Sequence, residues 1–213
     1  MNMKLVSLAV ALSATTLSAQ AGDVYAGIGF PGLTLGYSHT LSPSVKVRGE
    51  YAGGLSMSKN GQSGGVNYDA KVKTNRLGAF ADWYPGSSGF HLTGGLTFSD
   101  ISGDFKSRGG LSTIGGKPVD LTGRTFDVTL KFPDVTPYAG IGWSSHPASA
   151  KGWSVRAELG FQIGKFNTTV RQNVVGVGGI TQDDVDAEVK KVRDAVTKLS
   201  VLPSVSLGAN YRF

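Results

Sequence analysis

Hydrophobic and polar positions alternate one for one through the last eleven residues, PSVSLGANYRF. Val205, Leu207, Ala209, Tyr211 and Phe213 fall on one face of an extended strand, and Ser204, Ser206, Gly208, Asn210 and Arg212 on the other, because strand side chains alternate with period two. The same alternation recurs upstream between turn signals. It predicts strands at about 23–30, 33–41, 44–54, 74–84, 90–99, 135–145, 153–164 and 203–213. Their apolar faces include Val24/Ala26/Ile28/Phe30, Leu77/Ala79/Ala81/Trp83, Leu92/Leu96/Phe98 and Trp153/Val155/Ala157/Leu159/Phe161/Ile163. The expected class is all-β.

The opposite faces are polar and charged. They carry Lys46, Arg48 and Glu50 on the third strand, Arg76 and Asp82 on the fourth, and His91, Thr93 and Thr97 on the fifth. Arg156, Glu158 and Gln162 follow on the seventh, and Asn210 and Arg212 on the last. In a water-soluble sandwich these side chains would face solvent. In a transmembrane barrel they would fill the lumen and pair there, while the apolar face meets lipid.

Three features favour the barrel. Trp83, Tyr84 and Phe90 flank the turn Pro85-Gly86-Ser87-Ser88-Gly89, and Trp143 and Trp153 flank the turn through His146 to Gly152, as expected of an interfacial girdle. Connections alternate between short (41–44, 85–89, 146–152, with 30–32 a partial exception) and long (55–73, 100–134, 165–202). The last strand ends on Phe213, with Tyr211 two residues before it.

The start of the chain is consistent with export. Lys4 precedes the apolar stretch Leu5–Leu12, and small and hydroxylated residues lead to Ala19-Gln20-Ala21, a pattern that predicts a cleavable signal peptide over 1–21 and a domain over 22–213. After Gly22 there is no apolar run of about 20 residues that would cross a bilayer as a helix. A chain with 31 Gly and no Cys suits an exported protein built from strands and turns without disulfides. Loss of Lys4 alone takes the net charge from +6 to +5, and with no basic block or interleaved basic-aromatic patch the chain shows no nucleic-acid signature.

With a signal peptide, eight alternating strands and a terminal ANYRF, the chain resembles the small bacterial outer-membrane barrels of the outer membrane protein A-type, opacity-type and W-type superfamily. The resemblance is architectural across residues 22–213, and its one sharp motif is the last strand. It implies an eight-stranded antiparallel transmembrane β-barrel in the outer membrane, in contact with outer-membrane lipid and lipopolysaccharide. It also implies that Tyr211 and Phe213 form a signal read by the barrel-assembly machinery.

An eight-stranded barrel is just wide enough for its own side chains to fill. Lys46, Arg48, Arg76, Arg156 and Arg212 against Glu50, Asp82 and Glu158 predict a plugged lumen of paired charges. In the last long loop, Thr181-Gln182-Asp183-Asp184 has the form of a capping box with Asp in place of Glu, and Val185, Val189, Val192, Val196 and Leu199 follow at helical spacing. An amphipathic helix over about 183–199 is expected there, lying at the outer end of the barrel. In the 100–134 loop, Phe126, Val128, Leu130 and Phe132 alternate, extending neighbouring strands or adding a hairpin that would raise the strand count to ten. Its charges balance, Lys106, Arg108, Lys117, Arg124 and Lys131 against Asp100, Asp104, Asp120, Asp127 and Asp134, which argues against a dedicated anion trap, although basic loop residues could still meet lipopolysaccharide phosphates.

No constellation for catalysis stands out. His39, His91 and His146 are paired in sequence with no recognisable nucleophile or orienter, there is no HExxH, and GFPGLTLG lacks the helix that a phosphate-binding turn requires. The chain is therefore read as a non-enzymatic barrel without cofactor or metal, serving envelope integrity and possible adhesion through surface loops whose partner the sequence does not name. A narrow channel or carrier for small solutes is the alternative, and a lipid A-modifying enzyme a more distant one.

Overall fold

The computed structural model describes residues 22–63, 66–86, 88–145, 151–197 and 200–213. The expected signal segment 1–21 and the turn residues 146–150 lie outside the described residues.

Eight strands close into one antiparallel barrel: β1 (Gly22–Phe30), β2 (Gly32–Ser42), β3 (Val45–Ser63), β4 (Val66–Trp83), β5 (Phe90–Ser107), β9 (Val135–Ser144), β10 (Gly152–Ile163) and β12 (Val201–Arg212). They pair in that order, and β12 returns to β1 through the register Asp23↔Arg212 to Phe30↔Val205. The amide of Phe213 extends the closure by donating to the carbonyl of Gly22 (3.2 Å). Closure leaves no unpaired edge around the belt, the condition for a sheet to exist in hydrocarbon.

The wall is much taller on one side. Beyond the belt, β3 and β4 continue as a long hairpin, and β5 exchanges partners, pairing with β9 over residues 90–98 and with β8 (Phe126–Lys131) over 102–105. β11 (Asn167–Gln172) adds to β8, so a sheet ordered β3-β4-β5-β8-β11 stands above the barrel mouth. The strands expected at 44–54, 74–84 and 90–99 are thus longer than their alternation suggested, and the expected loop 55–73 is a paired ribbon. A hairpin of β6 (Leu111–Ile114) and β7 (Lys117–Asp120) and the helix α1 (Gln182–Thr197) complete the upper region. Eight strands close the belt, and β8 and β11 pair above it.

Two interiors result. The upper region has an apolar one: Ile114, Val119, Leu121, Phe126, Val128, Val174, Ile180 and Val185 are buried together, with Phe105, Leu130, Val170, Val177 and Val189 packed against them. α1 enters this core through Val185 and Val189, one turn apart on its apolar face. Its first turn is closed by the predicted box: the Asp184 amide donates to Thr181 Oγ1 (3.3 Å) and the Thr181 amide donates to Asp184 Oδ2 (2.8 Å). The belt below is filled instead by polar and charged side chains.

Candidate functional site

Strand parity builds the lumen. Residue pairs across β3 and β4 share a face, so Lys46↔Asp82, Arg48↔Phe80, Glu50↔Gly78 and Ala52↔Arg76 all turn inward, while Val47↔Ala81 and Tyr51↔Leu77 turn outward.

The centre is Arg48, whose guanidinium is wholly buried. Its Nη2 donates to both oxygens of Glu158 on β10 (2.6 and 2.7 Å), Nη1 to Glu50 on its own strand (2.6 Å), and Nε to Asp82 on β4 (3.1 Å). It sits over the Phe80 ring, 4.3 Å from the guanidinium carbon to the ring centre. Arg156 pairs with the same Glu158 and reaches Asp82 at 3.5 Å. Tyr25 donates to Glu50 (2.9 Å), Tyr138 to Glu158 (2.7 Å) and Thr93 to Asp82 (2.7 Å). Side chains from β1, β3, β4 and β10 therefore meet on one arginine, and Thr93 of β5 and Tyr138 of β9 join through its carboxylate partners, tying opposite walls together.

Above this layer Arg76 pairs with Glu50 and donates to Ser204 on β12 (3.1 Å). Higher still, Thr97 bonds the Thr136 hydroxyl, and Thr97 and Ser99 both donate to Gln162 Oε1. Below, Lys46 pairs with Asp23, which also accepts from Ser38 (3.1 Å) and faces Arg212 Nε at 3.4 Å. Arg212 donates in turn to Thr40 Oγ1 (2.8 Å). The lower end holds His91, its ring 4.9 Å from Tyr84 and its Nε2 4.0 Å from Glu158.

The structure thus divides the eight sequence-derived lumen charges. Arg48, Glu50, Arg76, Asp82, Arg156 and Glu158 form one network, while Lys46 and Arg212 gather around Asp23 below it. Asp23, Tyr25 and Tyr138 were not among the sequence candidates. Their signal was parity alone, since each alternates with an outward apolar neighbour.

Parity also corrects one girdle residue. Trp83 is 52% exposed and outward, but Tyr84, next in the chain, is 4% exposed; it lies inside, under the Lys46 ammonium and against His91. Phe90, Trp143 and Trp153 do face outward, and Phe90 is cross-strand neighbour to Trp143. Trp153, Tyr211 and Phe213 run ring to ring at the same end, with centres 5.1 and 5.5 Å apart.

Between the two ends of the belt the outward side chains are Ile28, Leu35, Leu77, Leu96, Phe98, Ile141, Leu159, Val205 and Leu207, all substantially exposed. A continuous apolar belt of this kind exceeds the isolated patches that soluble monomers carry. No described helix is long and apolar enough to cross a membrane, which says nothing of crossing by strands.

No family model matches the chain, and no curated protein matches it in sequence. Solved structures do match in fold. CarO of Acinetobacter baumannii is 20% identical, with 92% of this chain and 98% of that one covered at a TM-score of 0.57. CarO2 of the same organism is 19% identical over 91% and 98%, with a TM-score of 0.59. Ail, the attachment invasion locus protein of Yersinia pestis, is 14% identical over 91% and 97%, at a TM-score of 0.41. The likeness to the two Acinetobacter proteins is one of fold, a closed eight-stranded antiparallel barrel.

Proposed function

We propose that the protein is an integral outer-membrane barrel with a structural and surface role, its lumen an ion-paired core and its working surface the tall outer wall with the cap. The observation that carries this reading is Arg48, buried at the centre of the lumen and satisfied by three carboxylates drawn from three strands. A permeating solute would have to separate these pairs, and unpairing a buried charge costs about 3–5 kcal/mol. Envelope integrity follows from a rigid, self-bonded belt. The adhesive surface is the wall together with the upper region formed by β6, β7 and α1, because loops and exposed strands on a rigid scaffold are where surface partners bind.

The test is planar-bilayer conductance of protein refolded from residue 22 onward, with heat-shifted gel mobility as proof of barrel formation. The proposal expects a heat-shifted but electrically silent protein. Discrete steps whose ion selectivity changes in Arg76→Ala would instead establish the narrow-channel reading, with Arg76 and Glu50 lining the path.

A further inference from the structure

The lumen does not balance its charges layer by layer. In the central network Arg48, Arg76 and Arg156 are matched by Glu50, Asp82 and Glu158. Below it, Lys46 and Arg212 share the single carboxylate of Asp23, so among the described residues this layer keeps one positive charge in excess. It is also the end layer. Asp23 and Arg212 are the lowest inward residues of β1 and β12, cross-strand neighbours where the barrel closes.

The excess charge coincides with donors that the protein leaves unused. Arg212 is only 6% exposed, yet its one hydrogen-bond acceptor is Thr40 Oγ1, reached from Nη2 (2.8 Å). Nε approaches Asp23 Oδ1 at 3.4 Å without forming a hydrogen bond, and Nη1 meets no acceptor. Lys46 shares Asp23 with Arg212 and lies over the Tyr84 ring, while Thr40, its cross-strand neighbour, donates its hydroxyl to no protein group. Buried N–H groups without acceptors are unfavourable, and a buried charge without its counter-charge more so. A neutral molecule could accept these hydrogen bonds but would leave the charge in place. An oxyanion does both, because its oxygens match the fork of an arginine.

We infer that the lower mouth of the barrel binds a small oxyanion, a phosphate or carboxylate group, through Arg212, Lys46 and Thr40. The ligand is small because Asp82, Arg156 and Glu158 fill the layer above and stop it from entering further. It comes from the aqueous side, because Arg212 turns into the lumen while Tyr211 and Phe213 turn outward, so the wall stands between the site and lipid headgroups. Asp23 opposes the ligand, which gives the assignment a test of opposite sign. The site rests on the lumen charges themselves; that its open side is the periplasm rests on the outer-membrane reading.

The test uses the refolded protein in phosphatidylcholine nanodiscs, its barrel first verified by heat-shifted mobility. Inorganic phosphate replaces chloride at constant ionic strength, which holds screening fixed, and the arginine Nε–Hε and backbone amide signals are followed by NMR. The Arg212 side chain and the amides of Thr40, Lys46 and Arg212 should shift to saturation, and acetate should compete. The Thr97 and Gln162 signals, higher in the lumen, should stay in place. Lys46→Gln removes one of the two cations and should weaken phosphate on the order of tenfold or more. Asp23→Asn raises the charge excess and should tighten it, while Lys190→Ala/Lys191→Ala on α1 should match the wild type. Shifts that grow without saturating, an unaffected Lys46→Gln, or weaker binding in Asp23→Asn would overturn the inference. So would the same shifts produced by phosphatidylglycerol nanodiscs without phosphate, which would make a lipid headgroup the ligand. The wild-type titration decides by itself where a variant loses its heat shift, and absence of the heat shift in the wild type would mark failure of the barrel reading instead.

Discussion

The belt and the cap of this molecule are inverted versions of one another. In the cap, Leu121, Phe126, Val128, Ile180 and Val185 are buried and the charges of α1 face out. In the belt, Arg48, Asp82, Arg156 and Glu158 are buried, and Leu77, Phe98, Ile141 and Leu207 face out. The backbone physics is common to both, since each region satisfies its amides internally, by antiparallel pairing in the belt and by antiparallel pairing together with the helix α1 in the cap. What differs is the medium outside. Water makes apolar burial favourable and so drives the cap. Hydrocarbon removes that gain for the belt, so the belt must be held by backbone bonds and by ion pairs that a low dielectric strengthens. Substitutions should therefore act by opposite rules in the two regions.

The largest expected effect lies at the centre of the belt. Arg48→Met keeps the bulk but leaves Glu50, Asp82 and Glu158 without their shared cation, and should cost about 3–5 kcal/mol. Urea unfolding in liposomes, followed by loss of heat-shifted mobility, measures it. Adding Glu158→Gln should recover part of the loss, because the two residues share one contact and their effects do not add. A fully additive double variant would show that the pair is not coupled.

The next effect sharpens the contrast. Leu121→Ala removes a fully buried side chain from the cap and should cost about 2–5 kcal/mol of local stability. Hydrogen exchange should rise in residues 109–125 and 173–189, while the belt keeps its heat-shifted mobility. Loss of the belt together with the cap would refute their independence.

The belt was legible in the sequence because parity is strict where one face must be apolar and the other polar. Legibility ends at a definite residue. At Gly54, with φ of +83°, the β3–β4 register shifts between Gly53 and Leu55, so outward positions change from odd (Tyr51) to even (Ser56). A bulge of this kind resets the alternation. Beyond it the outward face is Ser56, Ser58 and Asn60, with no apolar contrast, so the extension read as a loop. The cap core was illegible for another reason: its residues come from short segments around 114–130 and 170–189, joined only by the fold. Tyr84 and Asp23 are different again. Alternation puts both on the lumen face, yet Tyr84 was expected in the girdle because it adjoins Trp83 beside the turn, and Asp23 was not expected anywhere because its strand is marked by its apolar face alone.

The smallest effect tests how the cap is fastened to itself. Lys117 on β7 donates to Asp184 Oδ2 (2.6 Å), and Thr181 donates to the same oxygen from its amide and its hydroxyl (both 2.8 Å), joining the hairpin to the start of α1. The Lys117 bond first, and the Thr181 bonds with it, lower the Asp184 pKa from the ordinary 3.8 to about 2. A carboxyl depressed by folding stabilises the folded state above its unfolded pKa, and that contribution is lost as pH falls. The fastening is therefore complete above about pH 4 and fades toward pH 2. In Lys117→Ala the Asp184 midpoint should move up toward 3.8, read by carboxyl chemical shift in micelles. Exchange protection of α1 should drop at neutral pH and converge with the wild type near pH 2. A midpoint that stays at about 2 would show that Thr181 alone holds the carboxylate, and that the hairpin rests on α1 through its apolar contacts only.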